Sequence, residues 1–138
     1  KIFFKNQLNI LKDYLLEIKK LRPQVVENYK AKLLNNINSI KADIELKEED
    51  ILKEVLLFSD RVDITEEISR LDSHFKQLEI EFETDKISLG KKIEFIFQEI
   101  FREFNTMGVK ANMYEISKIV VECKNELEKM REQIMNIE

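Results

Sequence analysis

Carboxylates, scattered cations and one histidine carry whatever chemistry this chain can do. Glu99 and Glu103 stand four residues apart in a segment with helical periodicity, so both face one side. Arg102 lies between them in sequence. Glu115 and Glu122 stand seven apart in the next such segment and share a side there. Two helices that turn carboxylates toward each other can hold Mg²⁺ or Mn²⁺ through oxygen ligands. Such an ion activates water and neutralises a phosphate. On that reading Glu99, Glu103 and Glu122 are the metal ligands, and Arg102, Lys110 and Lys124 steady the phosphate. His74, at the edge of an apolar stripe, is the candidate general acid or base for phosphodiester cleavage. The same residues also fit plain roles: glutamates on a solvated helix face, and a packed, hydrogen-bonded histidine.

Lys91, Lys92, Arg102, Lys110, Lys118 and Lys124 could present cations to a polyanion, with Asn105 and Asn112 adding hydrogen bonds. Phe95, Phe97, Phe101 and Phe104 crowd one segment. Their spacing suits an inward stripe better than base stacking. The sequence holds no P-loop, GxGxxG, CxxC or HExxH pattern, so the enzyme classes built on them lack support.

The elements that must position these residues are helices. Two glycines and one proline in 138 residues supply too few turns for a sandwich or barrel. A 36% charged and 43% hydrophobic composition suits long amphipathic helices. Phe4, Leu8, Leu11, Leu15 and Ile18 mark one apolar stripe. Pro23 fits the first turn of a second helix, lined by Val26, Tyr29, Leu33, Ile37, Ile40 and Ile44. Lys47–Asp50 reads as a charged break, and Ile51–Phe58 as a short helix buried on most sides. Asp63 to Glu66 resembles a capping box before the stripe of Ile64, Ile68, Leu71, Phe75, Leu78 and Phe82. Residues 84–90 read as a loop ending in Gly90. Ile93, Phe97, Ile100, Phe104 and Met107 form the next stripe, stopped at Gly108. Asn112 to Glu115 resembles a second capping box, before Ile116, Val120, Cys123, Leu127, Met130, Ile134 and Ile137.

The expected fold is therefore all-α. About six long helices pack as antiparallel hairpins or a bundle with coiled-coil-like seams. Residues 1–60 form a long arm with a short buried helix, and 61–138 a C-terminal helical domain. Heptad spacing also suits a coiled coil between chains. No apolar run reaches the roughly 18 residues of a membrane helix, and no signal peptide is recognisable. Cys123 stands alone, which fits a reducing compartment. Charge is segregated: residues 1–42 carry +6, residues 43–83 carry −9 and residues 84–138 carry −1. The basic arm either meets phosphate or pairs with the acidic middle.

One word order goes beyond periodicity. Gly90-Lys91-Lys92-Ile93-Glu94-Phe95-Ile96-Phe97-Gln98-Glu99 leads to Arg102-Glu103-Phe104-Asn105-Thr106-Met107-Gly108-Val109-Lys110-Ala111-Asn112. Glu115 to Lys118, Val121 to Lys124 and Glu128 to Glu138 follow. Together these resemble the C-terminal region of the YicC/YloC family. Glu54-Val55, Phe58, Arg61, Asp63-Ile64, Glu66-Glu67, Arg70-Leu71, Ser73-His74 and Arg22-Pro23 resemble the same family upstream. The family carries Asn, Ser and Asp where Phe101, Val109 and Met113 stand here, and Pro-Val where Ser88-Leu89 stand.

The resemblance implies a bacterial cytoplasmic endoribonuclease that needs a divalent metal ion. It also implies a homo-oligomer, a ring-like hexamer, that encloses RNA. Family members are roughly twice this length, and the missing initiator Met agrees with a C-terminal part. Two readings follow: metal-assisted RNA cleavage in this part, or a non-catalytic helical scaffold that shapes an oligomer and an RNA channel. A third, a coiled-coil adaptor, fits the periodicity but not the word order.

Overall fold

The computed structural model describes residues 2–40, 48–83 and 90–137. They form five helices: α1 (Ile2–Ile40), α2 (Glu48–Val62), α3 (Thr65–Glu83), α4 (Gly90–Ala111) and α5 (Tyr114–Ile137). The described residues contain no strand. Residues 84–89 of the loop expected at 84–90 fall outside them, as do Ile44 and Lys47, while Gly90 is the first residue of α4.

The stripes expected from Phe4 to Ile18 and on α3, α4 and α5 line one buried core. The α1 residues Phe4, Leu8, Leu11, Leu15 and Ile18 meet Ile68, Leu71, Phe75 and Leu78 of α3 in one core. That core also takes Phe97, Ile100, Phe104 and Met107 of α4, and Ile116, Cys123, Leu127 and Met130 of α5. Helix α3 packs on α1 and α4, and α5 packs on α4 and α1. The four helices thus form an antiparallel bundle, α3 and α5 each lying between α1 and α4. The first half of α1 shares its core with residues 64–130, so the buried apolar cluster crosses the boundary read near residue 60.

Helix α1 corrects the reading of Pro23. The two stripes belong to one 39-residue helix with Pro23 inside it, about 58 Å long at 1.5 Å per residue. Proline gives the Lys19 carbonyl no amide donor, and the helix continues without that bond. Burial then changes register: after Ile18 the next buried apolar residue is Val25, not Val26. Beyond it Tyr29, Leu33 and Ile37 are only half-buried. This distal part of α1 pairs with α2 as a helical hairpin. Leu52, Leu56 and Leu57 on α2 are 60–64% exposed, contrary to the expected burial of that helix. Six apolar residues in an eight-residue run put leucines on several faces, and only one face meets α1.

The basic arm pairs with the acidic middle. Lys12 binds Glu79 at 3.0 Å, Lys19 binds Asp72 at 2.9 Å, and Arg22 lies 3.6 Å from Asp63. These exposed pairs set α1 antiparallel to α3 and contribute little each. At the start of α3 the Asp63 carboxylate accepts from the Thr65 hydroxyl at 2.6 Å and from its amide at 3.1 Å. Burial pushes this carboxyl up, but the Thr65 bonds and the Arg22 charge outweigh it and hold it below its ordinary value.

The α4–α5 corner departs from the expected caps. Gly108 does not stop α4, which runs on to Ala111. Asn112 ends it instead, with φ of 45° and its amide donating to the Gly108 carbonyl. Asparagine tolerates this left-handed geometry at a helix C-terminus. The first turn of α5 then bonds to the Met113 carbonyl. Gly108 has helical φ, and a Cβ there would meet Val120 Cγ1 at 3.8 Å, an ordinary contact. Gly108→Ala therefore removes unfolded-state entropy without strain and should raise stability by about 0.5–1 kcal/mol. Urea unfolding checks this; a loss of stability would show that the site is tighter than that contact implies.

Candidate metal centre

Between α3 and α4 runs a seam of polar side chains. On α3, Glu67, His74 and Glu81 recur at seven-residue steps along the edge of the apolar stripe. Facing them on α4 are Lys110, the pair Glu99 and Glu103, and Lys92. The two ends of the seam are ordinary ion pairs. Lys110 donates to both oxygens of Glu67, at 2.8 and 3.2 Å, and Glu67 is 1% exposed. Lys92 binds Glu81 at 2.9 Å.

The middle is different. His74, Glu99 and Glu103 each bring a ligand atom to within 4.8 Å of the others. Two carboxylates meet there without a lysine. Arg70 Nε donates to Glu103 Oε1 at 2.8 Å, and its terminal nitrogens lie 3.7 Å from Glu66 and 4.0 Å from Glu67. The bond to Glu103 raises the Arg70 guanidinium above its already high value, so it stays a cation. Glu103 Oε2 is buried and accepts no hydrogen bond. A buried carboxylate oxygen without a partner costs free energy. Among the described residues, the ion pairs of Glu66, Glu67 and Glu103 are made with Arg70 and Lys110. A divalent cation would bring further positive charge to Glu99 and Glu103.

The donor set fits such an ion. His74 Nδ1 lies 3.3 Å from Gln77 Oε1. In the tautomer whose Nδ1 donates to that amide oxygen, Nε2 is the nitrogen left for a metal. One imidazole and two carboxylates suit Mn²⁺, and the carboxylates alone suit Mg²⁺.

Glu122 does not join this set. It lies on α5 near Tyr14 of α1, whose hydroxyl is pushed up by burial first and then by the Glu122 charge. The α1–α5 seam is on the opposite side of the bundle from the α3–α4 seam. The expected meeting of acidic faces from α4 and α5 is therefore not formed; α3 supplies the third donor through His74. Among the cations and amides named from sequence, Lys110 and Lys92 are engaged by Glu67 and Glu81. Arg102 is exposed one turn from Glu99 and makes no ion pair with a described residue, and neither do Lys91 and Lys124. Asn105 is exposed on α4, and Asn112 forms the corner. Phe97 and Phe104 are buried and Phe101 half-buried, leaving Phe95 at 63% exposure as the one exposed ring of that cluster. Cys123 is buried, and burial pushes its thiol up to about 12, so it is no nucleophile.

Sequence reading left Glu67 and Arg70 without a role. The available signal was a charged residue on an inward heptad position: Glu67 falls between Ile64 and Leu71, where a core residue belongs.

Residues 18–138 match the family model described as endoribonuclease YicC-like, C-terminal. The chain belongs to that family. It is 44% identical over 131 residues to the probable endoribonuclease YicC of Clostridioides difficile, an overlap of 94% of this chain and 44% of that protein. It is 32% identical over 127 residues to the probable endoribonuclease YicC of Haemophilus influenzae, covering 88% and 42%. The YicC-like chain thus spans less than half the length of these relatives. Both alignments are long enough to take in helices that build the polar seam. No described helix is long and apolar enough to cross a membrane.

Proposed function

We propose that this chain carries the metal centre of a bacterial, cytoplasmic endoribonuclease, with His74, Glu99 and Glu103 as its ligands. The observation that carries the reading is the middle of the α3–α4 seam, where two carboxylates and an imidazole converge and one buried carboxylate oxygen has no partner. The family match supplies the substrate class, RNA. A divalent ion held there supplies a water of lowered pKa and a positive charge for the phosphate oxygens. The residues of the chain do the rest. Glu103 and Glu99 hold the negative charge that fixes a cation at the middle of the α3–α4 seam. Gln77 Oε1, 3.3 Å from His74 Nδ1, is placed to accept from it. Arg102, exposed one turn from Glu99, meets the RNA phosphate and the charge that develops on it. Lys91 and Lys124 add sequence-independent attraction for the backbone.

The test is cleavage of a structured RNA by the full-length protein. Chelation with EDTA should abolish cleavage, and Mn²⁺ or Mg²⁺ should restore it. Undiminished cleavage in EDTA would refute the metal requirement.

A second reading has its own observation. The hairpin of distal α1 and α2 exposes Leu34, Leu52, Leu56 and Leu57. An arm of this kind suits assembly into a homo-oligomer, a hexamer among the possible closed rings. In that reading the chain is a scaffold that shapes an RNA channel, and the His74–Glu99–Glu103 cluster contributes nothing to cleavage.

A further inference from the structure

The chain of charge that runs Lys110, Glu67, Arg70, Glu103 reaches the candidate centre from one end of the seam and stops at it. We propose that Arg70 is a positioning residue for this centre: by holding Oε1 of Glu103 it leaves Oε2 as the single oxygen offered to the ion. The inference rests on the metal reading above and adds a role for a residue that reading does not use.

Four observations carry it. The Arg70–Glu103 bond is short, at 2.8 Å, and it is made through Nε, the guanidinium nitrogen nearest the stem. It engages one oxygen only, while the other is buried without a partner. The Glu103 side chain is 9% exposed, so it has little freedom to rotate away. Glu66 and Glu67 lie at 3.7 and 4.0 Å on the other side of the guanidinium and hold its outer nitrogens on α3. Glu67 is itself anchored by Lys110. A ligating carboxylate held in this way meets the ion through a defined oxygen. Loss of such an outer partner lowers metal affinity by about 10- to 100-fold. Lysine cannot replace the interaction, because its ammonium lacks the planar fork that bonds Glu103 while facing Glu66 and Glu67.

Calorimetric titration of the full-length protein with Mn²⁺ tests this, with the binding lost in Glu103→Gln defining the site. Arg70→Lys, which keeps the charge, should weaken that binding by about 10- to 100-fold with unchanged helical circular dichroism. Arg70→Gln removes a positive charge beside the ion. Through charge alone it would tighten binding; through positioning it weakens it. Weakening in both variants supports the role. Wild-type or tighter binding in either folded variant, with Glu103→Gln still losing the site, overturns the role of Arg70 and leaves the metal reading intact. Unaltered Mn²⁺ binding in Glu103→Gln overturns the metal reading and this inference with it.

Discussion

Replacing Glu103 by glutamine in the full-length protein is expected to slow RNA cleavage at least about 100-fold while the fold survives. A metal-bound site supplies several kcal/mol of transition-state stabilisation, and each 1.4 kcal/mol is about tenfold in rate. The substitution is nearly isosteric. The amide oxygen of glutamine can still accept from Arg70 Nε, now 2.8 Å from Glu103 Oε1. The amide nitrogen then replaces Oε2, the buried oxygen with no partner. A nitrogen that only donates cannot ligate a cation. Activity should therefore fall through lost ion binding, with helical circular dichroism and thermal midpoint close to wild type. Single-turnover cleavage of a structured RNA measures the effect. Wild-type turnover would support the scaffold reading, in which cleavage lies outside this chain.

Phe104→Ala is expected to cost about 3–5 kcal/mol and to lower the thermal midpoint by about 10–20 °C. Phe104 is fully buried at the centre of the bundle, and its ring centroid lies 6.3 Å from that of Phe75 on α3. Its truncation opens a cavity where α3, α4 and α5 meet, and their backbones are too constrained to close it. Thermal and urea unfolding followed by circular dichroism measure the loss. A cost below about 1 kcal/mol would show that Phe104 is not packed as described and would reopen base stacking as its role.

Both effects trace back to spacing that the sequence displays, but not equally. The apolar stripes at steps of three and four were legible because burial of one helix face repeats every turn. Phe104, Phe75, Leu11 and Leu127 all fall on them. Pro23 misled because its ordinary place is a first turn. The apolar pattern runs on through it, and core packing on both sides holds the helix together across the missing bond. Gly108 misled for a similar reason: with helical φ, its α4 segment continues to Ala111, and the left-handed turn falls to Asn112.

The candidate site was half legible. Glu99 and Glu103 share a helix face by arithmetic alone, and that pairing needed no structure. Which helix faces them is a matter of topology. Sequence order favoured α5 and Glu122, because neighbouring helices pack together. In a four-helix ring α4 has two neighbours, and its acidic side turns toward α3. The His74 row at seven-residue steps, Glu67 to His74 to Glu81, is visible in the sequence once the seam is known. It marks where a core stripe has a polar edge.

The central claim is a cation at the level of His74, Glu99 and Glu103. Anomalous diffraction from crystals of the protein grown with Mn²⁺ tests it most directly. The account predicts a manganese peak between the α3 and α4 helices, within about 2.0–2.3 Å of an imidazole nitrogen of His74 and of one carboxylate oxygen from each glutamate. An α3–α4 seam without a peak at saturating Mn²⁺, with Glu103 still held by Arg70 alone, would contradict it.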